Sequence, residues 1–321
     1  MDAILSKAVA LAASIKSITA DVCARHIGRQ DVVHATLLAL VSGRPAFFLG
    51  TPGVDKTGTV ESLADRIVGA KFFNALMPTM TSADHLLVES TRIEEEPTAS
   101  GGKSVRIRGE LGRAAAAHIV FADEIWKSEP YVLQTLLDLA KGGGVRHEGA
   151  NVRTPLLAFL AASNELPDSE GNLGAVWSRM TLRVPVRSLD RGGKLQLVSS
   201  RLAHGRSASN SNTVSAVTLT LDEVAVLRAG RTHVIVSDEI VESVLGIYQQ
   251  LLETHTDGTF QWLWDDDRRF GRVFDILQAE ALLSGRTVVA KSDLRVLKWL
   301  LWDTPEQIAA LIWQPVKTFL E

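Results

Sequence analysis

Residues 50–57 read Gly50-Thr51-Pro52-Gly53-Val54-Asp55-Lys56-Thr57, and they decide the fold. A short apolar run, 45–49, precedes them, and a helical pattern over 57–68 follows. This arrangement nearly matches the strand–loop–helix motif of Gly, four residues, Gly, Lys and Ser/Thr. Glycines let backbone N–H groups point at phosphate oxygens, and the helix N-terminus adds its dipole. We therefore predict that this loop binds nucleotide phosphates, with Lys56 reaching the β- and γ-phosphates and Thr57 holding Mg²⁺.

One position departs from the motif. Asp55 stands where the motif carries glycine or another small residue. A carboxylate about 4 Å from a phosphate would cost on the order of 4 kcal/mol at an effective dielectric constant of ~20. The side chain could avoid this cost by pointing away from the phosphates. Two interpretations stay open: a working site with Asp55 turned aside, or a nucleotide-binding scaffold that hydrolyses weakly or not at all.

Two further apolar runs end in polar residues. The run 119–122 is followed by Asp123 and Glu124, and the run 156–162 is followed by Ser163 and Asn164. Open α/β sheets place their ligands at the carboxyl ends of the strands. We expect Asp123 to orient Mg²⁺ and Glu124 to polarise an attacking water that Asn164 positions. Taken singly, the acids could be solvated at a strand end, and the asparagine could start a turn.

Apolar runs alternate with helical patterns through the first two thirds of the chain. Such alternation predicts an α/β fold with a parallel sheet flanked by helices. Residues 142–154, rich in glycine, predict a hairpin before the 156–162 strand, and 203–213, rich in Ser and Asn, predict a linker. The rest is largely helical in pattern. We predict a P-loop core domain over residues 1–203 and a smaller, mainly α-helical lid domain over 204–321.

Composition excludes several classes of protein. The formal net charge is −3, which gives no global basic signal for nucleic acid. The single cysteine, Cys23, excludes a disulfide within the chain and a cysteine-based zinc site. We find no apolar run of the ~18 residues that a membrane span needs, and we expect a cytoplasmic protein.

These motifs resemble the AAA+ class of ATPases, in which Asp123-Glu124 is similar to Walker B and Asn164 to sensor 1. The chain further resembles the MoxR family, specifically its RavA-like branch. The stretches that carry this resemblance are Ile27-Gly28-Arg29, Phe121-Ala122-Asp123-Glu124-Ile125-Trp126-Lys127, Ala161-Ala162-Ser163-Asn164-Glu165-Leu166-Pro167, Asp267-Arg268-Arg269-Phe270, Leu283-Ser284-Gly285-Arg286 and Asp293-Leu294.

The resemblance implies a ring hexamer that binds ATP between subunits with Mg²⁺. Arg179 stands where the family carries an arginine finger that reaches the neighbouring site, and Arg268 resembles sensor 2, with Arg269 as its alternative. Ile27 and Gly28 would lie beside the adenine. The family is chaperone-like and often acts with a von Willebrand factor A-domain protein, so a protein client is implied. Insertions expected in the family match residues 97–108 and 142–154.

Overall fold

The computed structural model describes residues 3–80, 88–97, 103–129, 132–133, 135–136, 145–147, 150–167, 173–206, 217–257, 259–260, 263 and 265–320. The expected helix over 130–140 lies mostly outside these residues, but its described members are helical.

A five-stranded parallel sheet forms the centre of the molecule. Its spatial order is β10-β1-β9-β6-β3, and every neighbouring pair is parallel. β1 lies between β9 and β10, so its neighbours on both sides come late in the chain. Open α/β sheets bind ligands where the strand order reverses, at the carboxyl ends of the strands. These strands are β1 (Ala46–Leu49), β3 (Phe72–Leu76), β6 (Ile119–Asp123), β9 (Ala158–Ser163) and β10 (Leu182–Pro185).

Both faces of the sheet are buried, which is why its strands read as nearly continuous apolar runs. Successive side chains of a strand point to opposite faces. Phe47 accordingly lies in one apolar cluster and Phe48 in the other, and both are fully buried. Val120 and Phe121 of β6 divide in the same way. The predicted fold class, a parallel sheet flanked by helices and followed by a helical lid, is confirmed.

Four helices precede or flank the first strands. They are α1 (Ala3–Ala10), α2 (Ala12–Arg25), α3 (Gln30–Ser42) and α4 (Lys56–Ala64). α3 ends at Gly43, whose φ of 69° is the left-handed conformation that favours glycine at a helix end. The stretch Ala3–Arg25 is long and apolar enough to cross a membrane by length and composition alone. It breaks at Leu11 and buries Leu5, Ile15 and Val22 in the core.

Three two-stranded pairings lie outside the central sheet. β4 (Val88–Pro97) and β5 (Lys103–Leu111) form an antiparallel hairpin at the first expected insertion. β7 (Val145–His147) and β8 (Ala150–Val152) form the second, so the hairpin predicted over 142–154 is present. β2 (Ile67–Val68) pairs with β11 (Leu219–Thr220). The helix expected over 57–68 is therefore too long, because its last residues join β11 as a strand.

The remaining elements are mainly helical. They are α5 (Gly174–Trp177), α6 (Arg191–Arg206), α7 (Leu221–Arg231), α8 (Asp238–Thr254), α9 (Asp267–Leu283), a 3₁₀ segment (Lys291–Trp299), a π-helical turn (Ile308–Ile312) and α10 (Trp313–Thr318). α9 packs on α3, and apolar residues of both belong to one buried cluster. The lid thus rests on the core. The domain boundary at 203/204 falls within α6 and stays a prediction.

Candidate functional site

The predicted phosphate loop connects β1 to α4 and bends sharply. Gly53 has a φ of 81°, and Asp55, at the position that departs from the motif, has a φ of 58°. A side chain at Gly50 would place its Cβ 2.3 Å from the Val186 carbonyl oxygen. Glycine is therefore required at Gly50 by close backbone approach and is favoured at Gly53 by conformation.

The Lys56 side chain points back into this loop, whereas the Thr57 side chain faces Asp123 at the end of β6. The Lys56 ammonium donates to the Gly50 carbonyl oxygen at 2.5 Å. Burial lowers the pKa of Lys56, while Asp123 and Glu124 act in the opposite direction. The Thr57 hydroxyl lies 3.4 Å from the Asp123 carboxylate. A hydroxyl and a carboxylate this close form the oxygen donor set that Mg²⁺ takes, so the residues fit the predicted ion.

Glu124 follows Asp123 in the left-handed region, with a φ of 54°. A non-glycine residue in this conformation carries strain of order 1–3 kcal/mol and is most common at functional sites. The Glu124 backbone N–H donates to Asp123 Oδ1 at 3.0 Å. Its carboxylate accepts a 2.8 Å bond from Lys127 Nζ. Glu124 is thus held in a defined position beside the predicted Mg²⁺ ligands.

The predicted phosphate, metal and water-positioning residues meet in one cleft of about 260 Å³. Its lining residues are Pro52, Gly53, Val54, Asp55, Lys56, Thr57, Gly58, Asp123, Glu124 and Asn164. The cleft lies at the carboxyl ends of β1, β6 and β9, where the sequence predicts it. Gly50 and Thr51 do not line the cleft, but the carbonyl oxygens of both residues face Lys56. A curled loop at the N-terminus of α4 fits a polyphosphate.

A second cavity, of about 430 Å³, lies between the core and the lid. Gly28 lines it with a φ of 71°, and a Cβ there would come within 2.4 Å of Leu189. Ile27 is buried beside it. The lid contributes Lys298, Trp299, Ile308 and Ala309, which sequence patterns did not single out. The cavity has a mixed lining, in which Trp299 and Ile308 lie beside charged residues such as Arg29 and Lys298. The role expected for Ile27 and Gly28 beside the adenine stays a prediction.

The three predicted arginines do not line the phosphate cleft. Arg179 is half-buried, and its Nη1 has no hydrogen-bond partner among the described residues. Arg268 is exposed at the start of α9. Burial lowers the pKa of Arg272, and the charges of Arg44, Arg179 and Arg268 lower it further, so Arg179 and Arg268 both lie near Arg272.

Arg269 occupies a different environment. It is buried in the lid, and its guanidinium donates to the Leu300 carbonyl oxygen at 2.5 Å. Burial lowers its pKa to about 10. A nucleotide contact would require Arg269 to leave this interior bond, so the structure gives Arg269 a packing role inside the lid.

Arg183, on β10, was missed by sequence reasoning because an arginine within an apolar strand carries no motif. It is fully buried. Its guanidinium pairs with Asp303 at 2.7 Å, donates to the Trp302 carbonyl oxygen at 2.5 Å and lies 3.8 Å above the Trp177 ring. Trp177 Nε1 also donates to Asp303. Arg183 therefore links the lid to residues 177–183, the segment that contains Arg179.

Replacing Arg183 with methionine is expected to lower the free energy of unfolding by about 3–5 kcal/mol, because it breaks a buried ion pair and leaves carbonyl acceptors unpaired. Urea titration of the purified protein measures this. Arg191→Met, at an exposed position on α6, is the matched control and should change stability by less than ~0.5 kcal/mol. Equal stabilities of the two variants would contradict the structural role assigned to Arg183.

Comparison with known proteins identifies the fold and the family of the chain. Residues 239–312 match the AAA lid domain. Two uncharacterized proteins of Methanocaldococcus jannaschii are 24% and 23% identical over 87% of this chain, covering 68% and 69% of their own lengths. A structural protein of Acidianus two-tailed virus is 26% identical over 49% of this chain, 25% of its own length.

Among solved structures, a crystallised candidate ATPase from Cytophaga hutchinsonii has the same fold, with a TM-score of 0.69 and 18% identity. The match covers 98% of this chain and 95% of that one. Residues 13–229 match the family described as the MoxR domain in the MoxR-vWA-beta-propeller ternary systems. With a P-loop cleft at the sheet edge and a helical lid behind it, the chain belongs to this MoxR family of AAA+ proteins.

Proposed function

We propose that this protein binds and hydrolyses ATP with Mg²⁺, and that it uses the cycle to remodel or activate a partner protein. The observation that carries the proposal is the convergence of Lys56, Thr57, Asp123, Glu124 and Asn164 on one cleft at the carboxyl edge of the sheet. No single motif predicts this arrangement; three separate stretches of sequence contribute to it.

Each residue has a defined task in this proposal. Lys56 would exchange the Gly50 carbonyl for phosphate oxygens. Thr57 and Asp123 would hold Mg²⁺, which neutralises charge on the β- and γ-phosphates when bound. Glu124 would polarise the attacking water, and Asn164 would position that water.

The partner proposal rests on the family. Its description places MoxR domains in systems with vWA and β-propeller components, so a von Willebrand factor A-domain protein is the first partner to test. We include a ring hexamer and a cytoplasmic location in the proposal. Membership in the RavA-like branch also belongs here, and its support is the pair of stretches 121–127 and 161–167.

A nucleotide-binding scaffold with weak hydrolysis is the second candidate. The observation that favours it is the 2.8 Å bond from Lys127 to Oε2 of Glu124, which engages one oxygen of the carboxylate needed to polarise water. Hydrolysis would then wait for a partner or a neighbouring subunit to release Glu124. Measuring turnover with and without the vWA partner separates the two candidates.

Lys56→Met tests nucleotide binding itself. Loss of a charge-assisted contact to the phosphates is expected to raise the Kd for ATP by about 10- to 100-fold. Isothermal titration calorimetry with MgATP measures this Kd. Lys194→Met, at an exposed position on α6, controls for removal of a lysine and should leave the Kd unchanged. Equal Kd values for Lys56→Met and the parent protein would contradict the assignment of the phosphate site.

A further inference from the structure

Asp55 has a specific partner outside the phosphate loop. Its carboxylate Oδ2 lies 2.6 Å from Nδ1 of His26, which ends α2. An ionised carboxylate can only accept hydrogen bonds, so His26 Nδ1 carries the proton and donates. The His26 side chain is 16% exposed and that of Asp55 is 51% exposed. The bond therefore connects a mostly enclosed imidazole to a carboxylate at the surface.

The backbone and its neighbours leave room for this orientation. Asp55 adopts the left-handed conformation that the motif normally assigns to glycine, and aspartate tolerates this conformation better than most residues. Its other oxygen, Oδ1, lies 2.5 Å from the position that a Cβ at Gly58 would occupy. Any side chain at Gly58 would therefore displace the carboxylate. Glycine at Gly58 is what permits Asp55 to fold over the first turn of α4.

The direction of the carboxylate matters for the nucleotide. Asp55 lines the phosphate cleft, but His26, which holds its carboxylate, does not. Burial lowers the pKa of Arg29, and the Asp55 charge acts in the opposite direction, so Arg29 lies within electrostatic reach of Asp55. The hydrogen bond to His26 holds the Asp55 carboxylate toward the turn that follows α2. An anionic phosphate in the cleft would repel the same charge in the same direction.

We infer that His26 is a positioning residue of the nucleotide site, which holds the Asp55 carboxylate away from the phosphates and so makes an acidic phosphate loop compatible with ATP. The inference rests on the proposed nucleotide binding. It names two residues that must act together: without Asp55, the imidazole has no charge to restrain, and without His26, the carboxylate is free to turn into the cleft.

A double-mutant cycle tests this coupling. Four proteins are compared: the parent, His26→Ala, Asp55→Gly and the double variant, each titrated with MgATP by isothermal titration calorimetry. His26→Ala alone is expected to raise the Kd by about three- to tenfold, the range of a partly exposed charge-assisted contact. In the Asp55→Gly background, the same substitution should change the Kd by less than about twofold. His26→Asn retains a donor at a similar position and should restore most of the affinity.

The outcomes separate the inference from the proposed function. If His26→Ala weakens binding equally in both backgrounds, His26 acts only through packing and the inference is overturned. If the parent fails to bind MgATP while Asp55→Gly binds it, His26 does not offset the effect of Asp55 on the phosphates. That result also overturns the inference. Absence of binding in all four proteins, each folded by circular dichroism, would overturn the nucleotide site itself.

Discussion

Replacement of Glu124 by glutamine is expected to reduce ATP turnover about 10³-fold while leaving the Kd for MgATP within about twofold of the parent value. Glutamine keeps the size and polarity of the side chain but cannot accept a proton from the attacking water. The backbone of Glu124, which donates to Asp123, is unaffected by the change. Binding of phosphates and Mg²⁺ by the neighbouring residues should therefore survive.

Steady-state hydrolysis of ATP with Mg²⁺ measures this effect. Glu61→Gln is the matched control, because Glu61 is an exposed acid on α4 and does not line the cleft. It should retain parental turnover. Turnover by Glu124→Gln equal to that of the folded parent would show that the isolated chain is no ATPase motor, and the scaffold interpretation would replace it.

Replacement of Arg179 by alanine is expected to lower turnover by about 10³-fold, with little change in ATP affinity, if Arg179 stabilises the transition state in a neighbouring subunit. The structure supports such a role in two ways. Arg179 does not line the cleft of its own chain. Its Nη1 also lacks a partner within the described part of the chain, and an unsatisfied buried donor is costly until it finds an acceptor.

Mixing the two inactive variants distinguishes action between subunits from action within one. A site formed by the Glu124 of an Arg179→Ala chain and the Arg179 of a Glu124→Gln neighbour is complete. The mixture should regain measurable turnover, whereas neither protein alone does. A mixture as inactive as its components, with assembly verified by light scattering, would contradict an arginine finger supplied by the neighbour.

Much of the candidate site could be predicted because its chemistry follows local motifs. Asp123 ends a buried strand, Asn164 follows another, and Thr57 lies in the first turn of the helix after the phosphate loop of a third. Parallel strands bring their carboxyl ends to one edge of the sheet. Their meeting in one cleft is thus a consequence of fold class. The orientation of Asp55 could not be predicted, because it depends on His26, 29 residues earlier in the chain.

The arginines differ in burial, and the sequence did not predict this difference. All four arginines, Arg179, Arg183, Arg268 and Arg269, carry the same charge. Because Arg268 and Arg269 are neighbours in the sequence, no local pattern predicts which of the two is buried. Packing of the 3₁₀ segment against α9 and β10 accompanies the burial of Arg183 and Arg269, whereas Arg268 is exposed and Arg179 is half-buried. The second cavity is missed for a similar reason, since its walls come from the Gly28 turn, the end of β10 and the lid.

By itself, the sequence determined the parallel sheet, the phosphate loop and the identity of the acids beside it, because strand periodicity and loop chemistry are encoded within a few residues of each other. Tertiary structure alone decided where the Asp55 carboxylate points, which arginines are buried and which lid residues line the second cavity. These features depend on contacts between residues far apart in the chain, which no local pattern encodes.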